Sequence, residues 1–325
     1  MKQLVTAERF SLIAHVVAMA FGLAGLLLVL PHPEFILQLP AAGQTLFQWS
    51  MAGGGVVYIL LGAIAVAIYT YRTLGWQRWL AFMVPSVCIS LSSELLGTST
   101  GFPFGDYGYL SGLGYKIAGL VPFTIPLSWF YLGCASYLLA RAGLDASQQT
   151  KLPGWIRAGL AIALGALLLT SWDFVLDPAM SQTAVPFWEW KQPGAFFGMP
   201  YQNFAGWWGT GAVFMSVAAL LWGKAPITLN RQQLQLPLAI YLSNFAFAMI
   251  MSLAAGIWIP VLLGLALGVA PALILWRMAP AASASEPHLG NPTETVLPFV
   301  GDVKTEPAIS LASELSVAPM ELGSK

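Results

Sequence analysis

Eight stretches of the chain are almost continuously apolar: 10–30, 49–69, 79–95, 117–140, 156–176, 204–222, 237–254 and 257–276. A helix that crosses the hydrocarbon core needs about 20 mostly apolar residues. The pattern therefore predicts an all-α protein, a polytopic transmembrane bundle of about eight helices. The last two stretches nearly join. As one helix of about 40 residues they would reach about 60 Å, twice the hydrocarbon core. A tight turn is expected at Ala255-Gly256, with Pro260 just inside the next helix. The first stretch is too long for the apolar part of a signal peptide, and no small-residue cleavage site follows it, so it is expected to be an uncleaved helix. Beyond residue 280 the pattern stops. Residues 281–325 are rich in Pro, Ser, Glu and small residues, a composition that buries too little to fold. The chain thus divides into a membrane domain, 1–280, and a disordered cytoplasmic tail, 281–325. A short surface helix near 309–315 is the only element expected there.

Charge orients the bundle. With eight spans, Lys2, Arg9, Arg72, Arg78, Arg141, Lys151, Arg157, Lys224, Arg231 and Arg277 fall on one side, and only Lys116 and Lys191 on the other. Such an excess marks the cytoplasmic face, so both termini are expected there. Composition agrees: 57% of the 325 residues are hydrophobic and 9% charged, against about 25% charged in soluble domains. Net charge is zero, so no basic field calls for nucleic acid. Cys88 and Cys134 both lie in apolar stretches and read as small bundle residues rather than as a disulfide or metal site.

The acids are unevenly placed. Glu8 and Asp145 lie on the basic side, whereas Glu34, Glu94, Asp106, Asp173, Asp177 and Glu189 lie opposite. Five of these six belong to two long connections and the helix ends that feed them, GTSTGFPFGDYGYLSGLGYK and DPAMSQTAVPFWEWKQPGAFFGMPYQN. Connections of this length in compact proteins are functional or disordered. These are too aromatic for disorder and are expected to fold back as a lid. The two regions also echo one another. An acid ends a helix (Glu94, Asp173), a proline–aromatic pair follows (Pro122-Phe123, Pro200-Tyr201), and a tryptophan stands at the same offset (Trp129, Trp207). This hints at a duplicated two-helix unit.

A charge in hydrocarbon costs at least about 2.5–3.5 kcal/mol and tends to mark function. Glu94 and Asp173 are the acids this favours, although Glu94 also reads as an interfacial residue bonded to Thr98 or Ser99. Asp177 is one helical turn from Asp173, and Asp177-Pro178 is also a helix-stop signal. Asp106 reads as a turn residue or a partner of Lys116, and Glu189 as an interfacial charge paired with Lys191. His15, mid-helix and without a second histidine nearby, reads as a bundle hydrogen bond. Gly53, Gly54 and Gly55 read as close helix packing. The rings around the acids form either an interfacial belt or a binding wall.

No H-x-x-x-H box, strand-borne G-x-G-x-x-G or aspartate-rich diphosphate motif occurs. The remaining inventory is carboxyls and aromatics at one end of an apolar bundle, with no cofactor or metal expected. It suits protonation of an alkene. A carboxyl in an apolar pocket can supply the proton, aromatic faces can stabilise the cation, and a second carboxyl can position water to capture it.

The segments SELLGTSTGFPFGDYGY, VPFTIPLSWF, SWDFVLDPAM and FWEWKQPGAFFGMPYQNFAGWW resemble the membrane carotenoid 1′,2′-hydratases, over most of residues 79–222. The resemblance implies water addition across the terminal C1′=C2′ bond of an open ψ end, such as that of γ-carotene or a lycopene-like chain, without a cofactor. Partners would be the carotenoid, membrane lipid and other enzymes of carotenoid synthesis, in a bacterial cytoplasmic or thylakoid-type membrane. Glu94 and Asp173 are our choice for acid and water-positioning base, in either order, with Asp177, Asp106 and Glu189 around them. Phe102, Phe104, Tyr107, Tyr109, Trp172, Trp188, Trp190, Tyr201, Asn203 and Trp207 are expected to contact substrate. Alternatives are a carotenoid end-group cyclase, a lipid or small-solute transporter, and a non-catalytic carotenoid-binding membrane protein.

Overall fold

A computed structural model describes residues 1–146, 152–183, 185–223 and 225–281. Lys151, Lys224 and the tail from residue 282 lie outside them. The long helices are α1 (Lys2–Val29), α3 (Ala41–Leu74), α4 (Trp76–Thr100), α5 (Thr124–Ala146), α6 (Gly154–Met180), α7 (Tyr201–Trp222), α8 (Gln235–Ala254) and α9 (Trp258–Met278). A short α2 (Pro33–Gln38) links α1 to α3. Each predicted span has its helix, with shifted ends. Gly256, at φ +73°, makes the expected turn between α8 and α9.

Seven of these helices are long and apolar enough to cross a membrane. The eighth, α5, is the most enclosed. Nineteen of its 23 residues are buried, against α3, α4, α6, α8 and α9. A helix sheathed by protein can carry Ser128, Tyr131, Ser136 and Tyr137, because it presents little surface to lipid. It starts at Thr124 rather than at residue 117. The residues before it instead pair as a small antiparallel hairpin, β2 (Lys116–Ile117) with β3 (Val121–Pro122). Glycines at positive φ (Gly112, Gly114, Gly119) break any helical register there.

Around the core, α4, α5, α6 and α7 form a ring in which each helix packs on its neighbours and the diagonal contacts are sparse. The two units suggested by the sequence, α4–α5 and α6–α7, form adjacent halves of that ring. Their loops pair with each other through β1 (Tyr107–Tyr109) and β4 (Trp188–Trp190). Their equivalent tryptophans, Trp129 and Trp207, stack with centroids 3.9 Å apart and planes 16° from parallel.

The arginine pairs gather at the end away from the long loops. Arg72 holds Glu8 through two hydrogen bonds, at 2.9 and 3.1 Å. Arg141 donates to Asp145 at 2.7 Å, and Arg231 to the Ala279 carbonyl at 2.9 Å. His15 sits inside the bundle. Its Nδ1 meets the Tyr58 carbonyl at 2.7 Å and its Nε2 meets Asn244 at 3.0 Å, while Tyr131 donates to Asn244 Oδ1 at 3.0 Å. The glycine triplet differs from the expectation. A Cβ on Gly55 would meet the Gly112 carbonyl at 2.6 Å, but one on Gly53 or Gly54 would meet nothing within 4 Å. Only the third glycine serves close packing, and the other two border open space.

Candidate active site

Glu94 stands near the end of α4, buried, at the junction of three donors. Trp129 of α5 donates its indole N–H to Oε1 at 2.9 Å. Tyr109 donates to Oε2 at 2.9 Å, and Tyr107 donates to the same oxygen. Burial, reinforced by the neighbouring Glu94, pushes both phenols well above their ordinary range, so they stay protonated and donate. Thr98 donates to the backbone carbonyls of Glu94, at 2.8 Å, and Leu95, at 3.3 Å, rather than to the Glu94 carboxyl.

Asp173 and Asp177 lie on one face of α6, one turn apart and both buried. The helix runs through Pro178 to Met180, so the Asp-Pro pair does not end it. Asn203, in the first turn of α7, bridges the two acids: its Nδ2 donates to Asp173 Oδ2 at 2.7 Å and to Asp177 Oδ2 at 3.1 Å. Asp177 Oδ1 accepts Trp190 at 3.3 Å and also Trp188.

The lid supplies these donors through strand alternation. In β1–β4 pairing, Tyr107 faces Trp190 and Tyr109 faces Trp188. Successive strand side chains point to opposite faces, so all four rings turn inward, and Gly108 and Glu189 turn outward. The lid is fastened elsewhere too. The Asp106 N–H donates to Gln192 Oε1 at 3.1 Å, and Gln202 donates to the Gly101 carbonyl at 3.1 Å. Phe104 wedges between α4 and α7, where a Cβ on Gly97 or Gly206 would meet its ring at 2.7 or 2.5 Å.

A cavity of about 70 Å³ opens among these groups. Glu94, Asp173 and Asp177 line it, with Phe104, Tyr107, Tyr109, Trp172, Trp188, Trp190, Asn203 and Trp207. Trp172 meets Trp207 edge-on at 5.8 Å, which extends the stacked Trp129–Trp207 pair. An ionised carboxylate offers about four lone-pair sites. Glu94 fills three and Asp177 fills three, whereas Asp173 fills one and its Oδ1 has no donor among the described residues. Among the described residues no group of three or more His, Cys, Asp or Glu is arranged to hold a metal ion.

Other predicted residues fall outside the cavity. Asp106 and Glu189 are exposed. Lys191 reaches Asp106 at 3.9 Å, and Lys116 donates to the Tyr109 carbonyl at 2.5 Å. Phe102 and Tyr201 are also exposed, at 63% and 62%. The sequence did not single out Tyr58, Ile59, Leu113, Ile125, Ser128 or Leu176, all of which line the cavity. Tyr58 alone left a trace, a phenol within an apolar run.

Fold and site together define a polytopic helical membrane protein with a carboxylate-and-aromatic centre under a lid at one end. The chain belongs to the carotenoid biosynthesis protein family, whose model matches residues 54–271. It is similar to the bisanhydrobacterioruberin hydratase of Haloarcula japonica, with 32% identity over 211 residues. That alignment covers 64% of this chain, and the chain spans 64% of the length of that relative. No solved structure matches the chain.

Proposed function

We propose that this protein hydrates carotenoids, adding water across the terminal C1′=C2′ bond of an open ψ end such as that of γ-carotene. The observation that carries this is Asp173, whose unoccupied Oδ1 belongs to a cavity walled by rings and two further carboxyls. The hydratase relative and the family match support the carotenoid substrate.

The chemistry follows from the acceptor count. Asp173, in its acid form, gives its proton to C2′, because that leaves the tertiary cation at C1′. The faces of Trp172 and Trp207 and the charge of Glu94 stabilise that cation. Glu94 keeps one free acceptor site on Oε1, enough to hold a water against C1′. The water oxygen bonds C1′, its surplus proton passes to Glu94, and the proton returns to Asp173 for the next turnover. No oxidant or reductant is needed.

The test is expression in cells that accumulate lycopene and γ-carotene, followed by mass analysis of the pigments. The expected product is heavier by one water and has an unchanged polyene spectrum. An isomer of the starting carotene would mean cyclisation instead. An unaltered pigment pool, with the protein in the membrane, would overturn the proposal.

A further inference from the structure

A second space adjoins the acid cavity. It lies between α1 and α3, has a volume of about 360 Å³ and shares Tyr58, Leu113, Leu176 and Trp188 with the cavity. Its lining on α3 runs from Leu46 to Tyr58, about 18 Å of helix at 1.5 Å per residue. Phe21, Leu46 and Trp49 on its rim are 66%, 65% and 72% exposed, so it opens on the flank of the bundle. No charged side chain lines it among the described residues.

Glycines keep this groove open. Gly22 and Gly25 of α1 and Gly53 and Gly54 of α3 line it, and a Cβ on any of them would meet nothing within 4 Å. Small residues in membrane helices commonly let backbones touch. These four do the opposite and border unfilled, uncharged space.

We propose that the α1–α3 groove holds the polyene chain of the substrate while its end group enters the acid cavity. This rests on the hydratase reading given above. Size requires some such path. The acid cavity, at about 70 Å³, has room for an end group but not for a long polyene. A long rigid polyene must leave it, and the shared wall of Tyr58 and Trp188 leads into the groove. An uncharged apolar slot suits a hydrocarbon rod and offers nothing to a phosphate headgroup.

The test fills the groove with a Gly53→Leu, Gly54→Leu double variant. Both positions face open space, and leucine favours helix more than glycine does, so the fold is expected to persist. Gly209→Leu is the control, since Gly209 of α7 borders a different pocket and also meets nothing within 4 Å. Two measurements are made: pigment bound per purified protein, and hydration of γ-carotene against a short isoprenoid with the same ψ end. The double variant should lose at least about tenfold in kcat/KM and most bound pigment with γ-carotene. It should hydrate the short substrate as the unaltered protein does, and the control should match the unaltered protein on both. Unchanged γ-carotene binding and turnover in the double variant would overturn the groove assignment. So would equal loss on both substrates, which would mean damage to the acid centre. Groove-dependent pigment binding without hydration in the unaltered protein would sustain the groove and overturn the hydratase reading.

Discussion

Asp173 and Glu94 differ in how fully their oxygens are occupied, and that difference predicts different failures on substitution. Asp173→Asn keeps an oxygen for the Asn203 amide but cannot deliver a proton. Hydration should fall at least about 100-fold, the lower range for a positioned general acid, while pigment still binds. Activity within a factor of two of the unaltered protein would remove Asp173 from the role of acid. Glu94→Gln also damages structure. Its amide N–H₂ must face either the Trp129 indole or the two phenols, leaving buried donors opposed. A cost of about 1–3 kcal/mol is expected, read as a lower unfolding temperature in detergent as well as lost turnover. Adding Tyr107→Phe and Tyr109→Phe should restore part of the stability and none of the activity. Equal, additive losses would show that the three groups are not coupled. Both acids are legible in the sequence as charges at the ends of apolar runs. Their donors are not, because an indole 35 residues away or a phenol in a loop carries no mark of where it will point.

Among the elements, the lid depends on two devices, the β1–β4 pairing and the Phe104 wedge. Gly206→Leu would thrust a side chain into the Phe104 ring and a backbone carbonyl, since even a Cβ would stand 2.5 Å from the ring and 2.8 Å from the Pro103 oxygen. Overpacking of this kind costs about 1–3 kcal/mol. We expect Phe104 to be expelled, the lid to loosen and Lys191 and Lys116 to be cut faster by trypsin, with the helices intact by circular dichroism. Unchanged cleavage would mean that the lid is held without the wedge. Helices and the need for a lid could be read from run lengths and loop aromaticity. The strands could not. Two- and three-residue strands have too short a period to show alternation, and their partners lie in another loop. The start of α5 is hidden for a related reason: residues 117–123 are apolar enough to extend the helix, and positive-φ Gly112, Gly114, Ala118 and Gly119 with Pro122 break it.

At the scale of the molecule, the candidate site faces one end of the bundle and the arginine pairs the other, an arrangement that would let water and the polyene proposed as substrate meet where hydrocarbon ends. Hydration run in deuterated water should therefore leave one deuterium on carbon in the product, retained after the hydroxyl has exchanged back in ordinary water. A product with no carbon-bound deuterium would exclude protonation by an acid in exchange with solvent. The sequence by itself determined the membrane class, the order of the helices, the segregation of charge and the places of Glu94 and Asp173 near the ends of apolar runs. Each is written locally, as a run of apolar residues or a charge interrupting one. The tertiary structure decided what depends on packing between distant segments: which oxygens are filled, that Asp106 and Glu189 face outward, that Asn203 joins two carboxyls, and that two of three glycines leave a groove open. A residue type fixes what a side chain can do. Only the arrangement of neighbouring helices fixes what it is left to do, because burial and hydrogen-bond partners come from elsewhere in the chain.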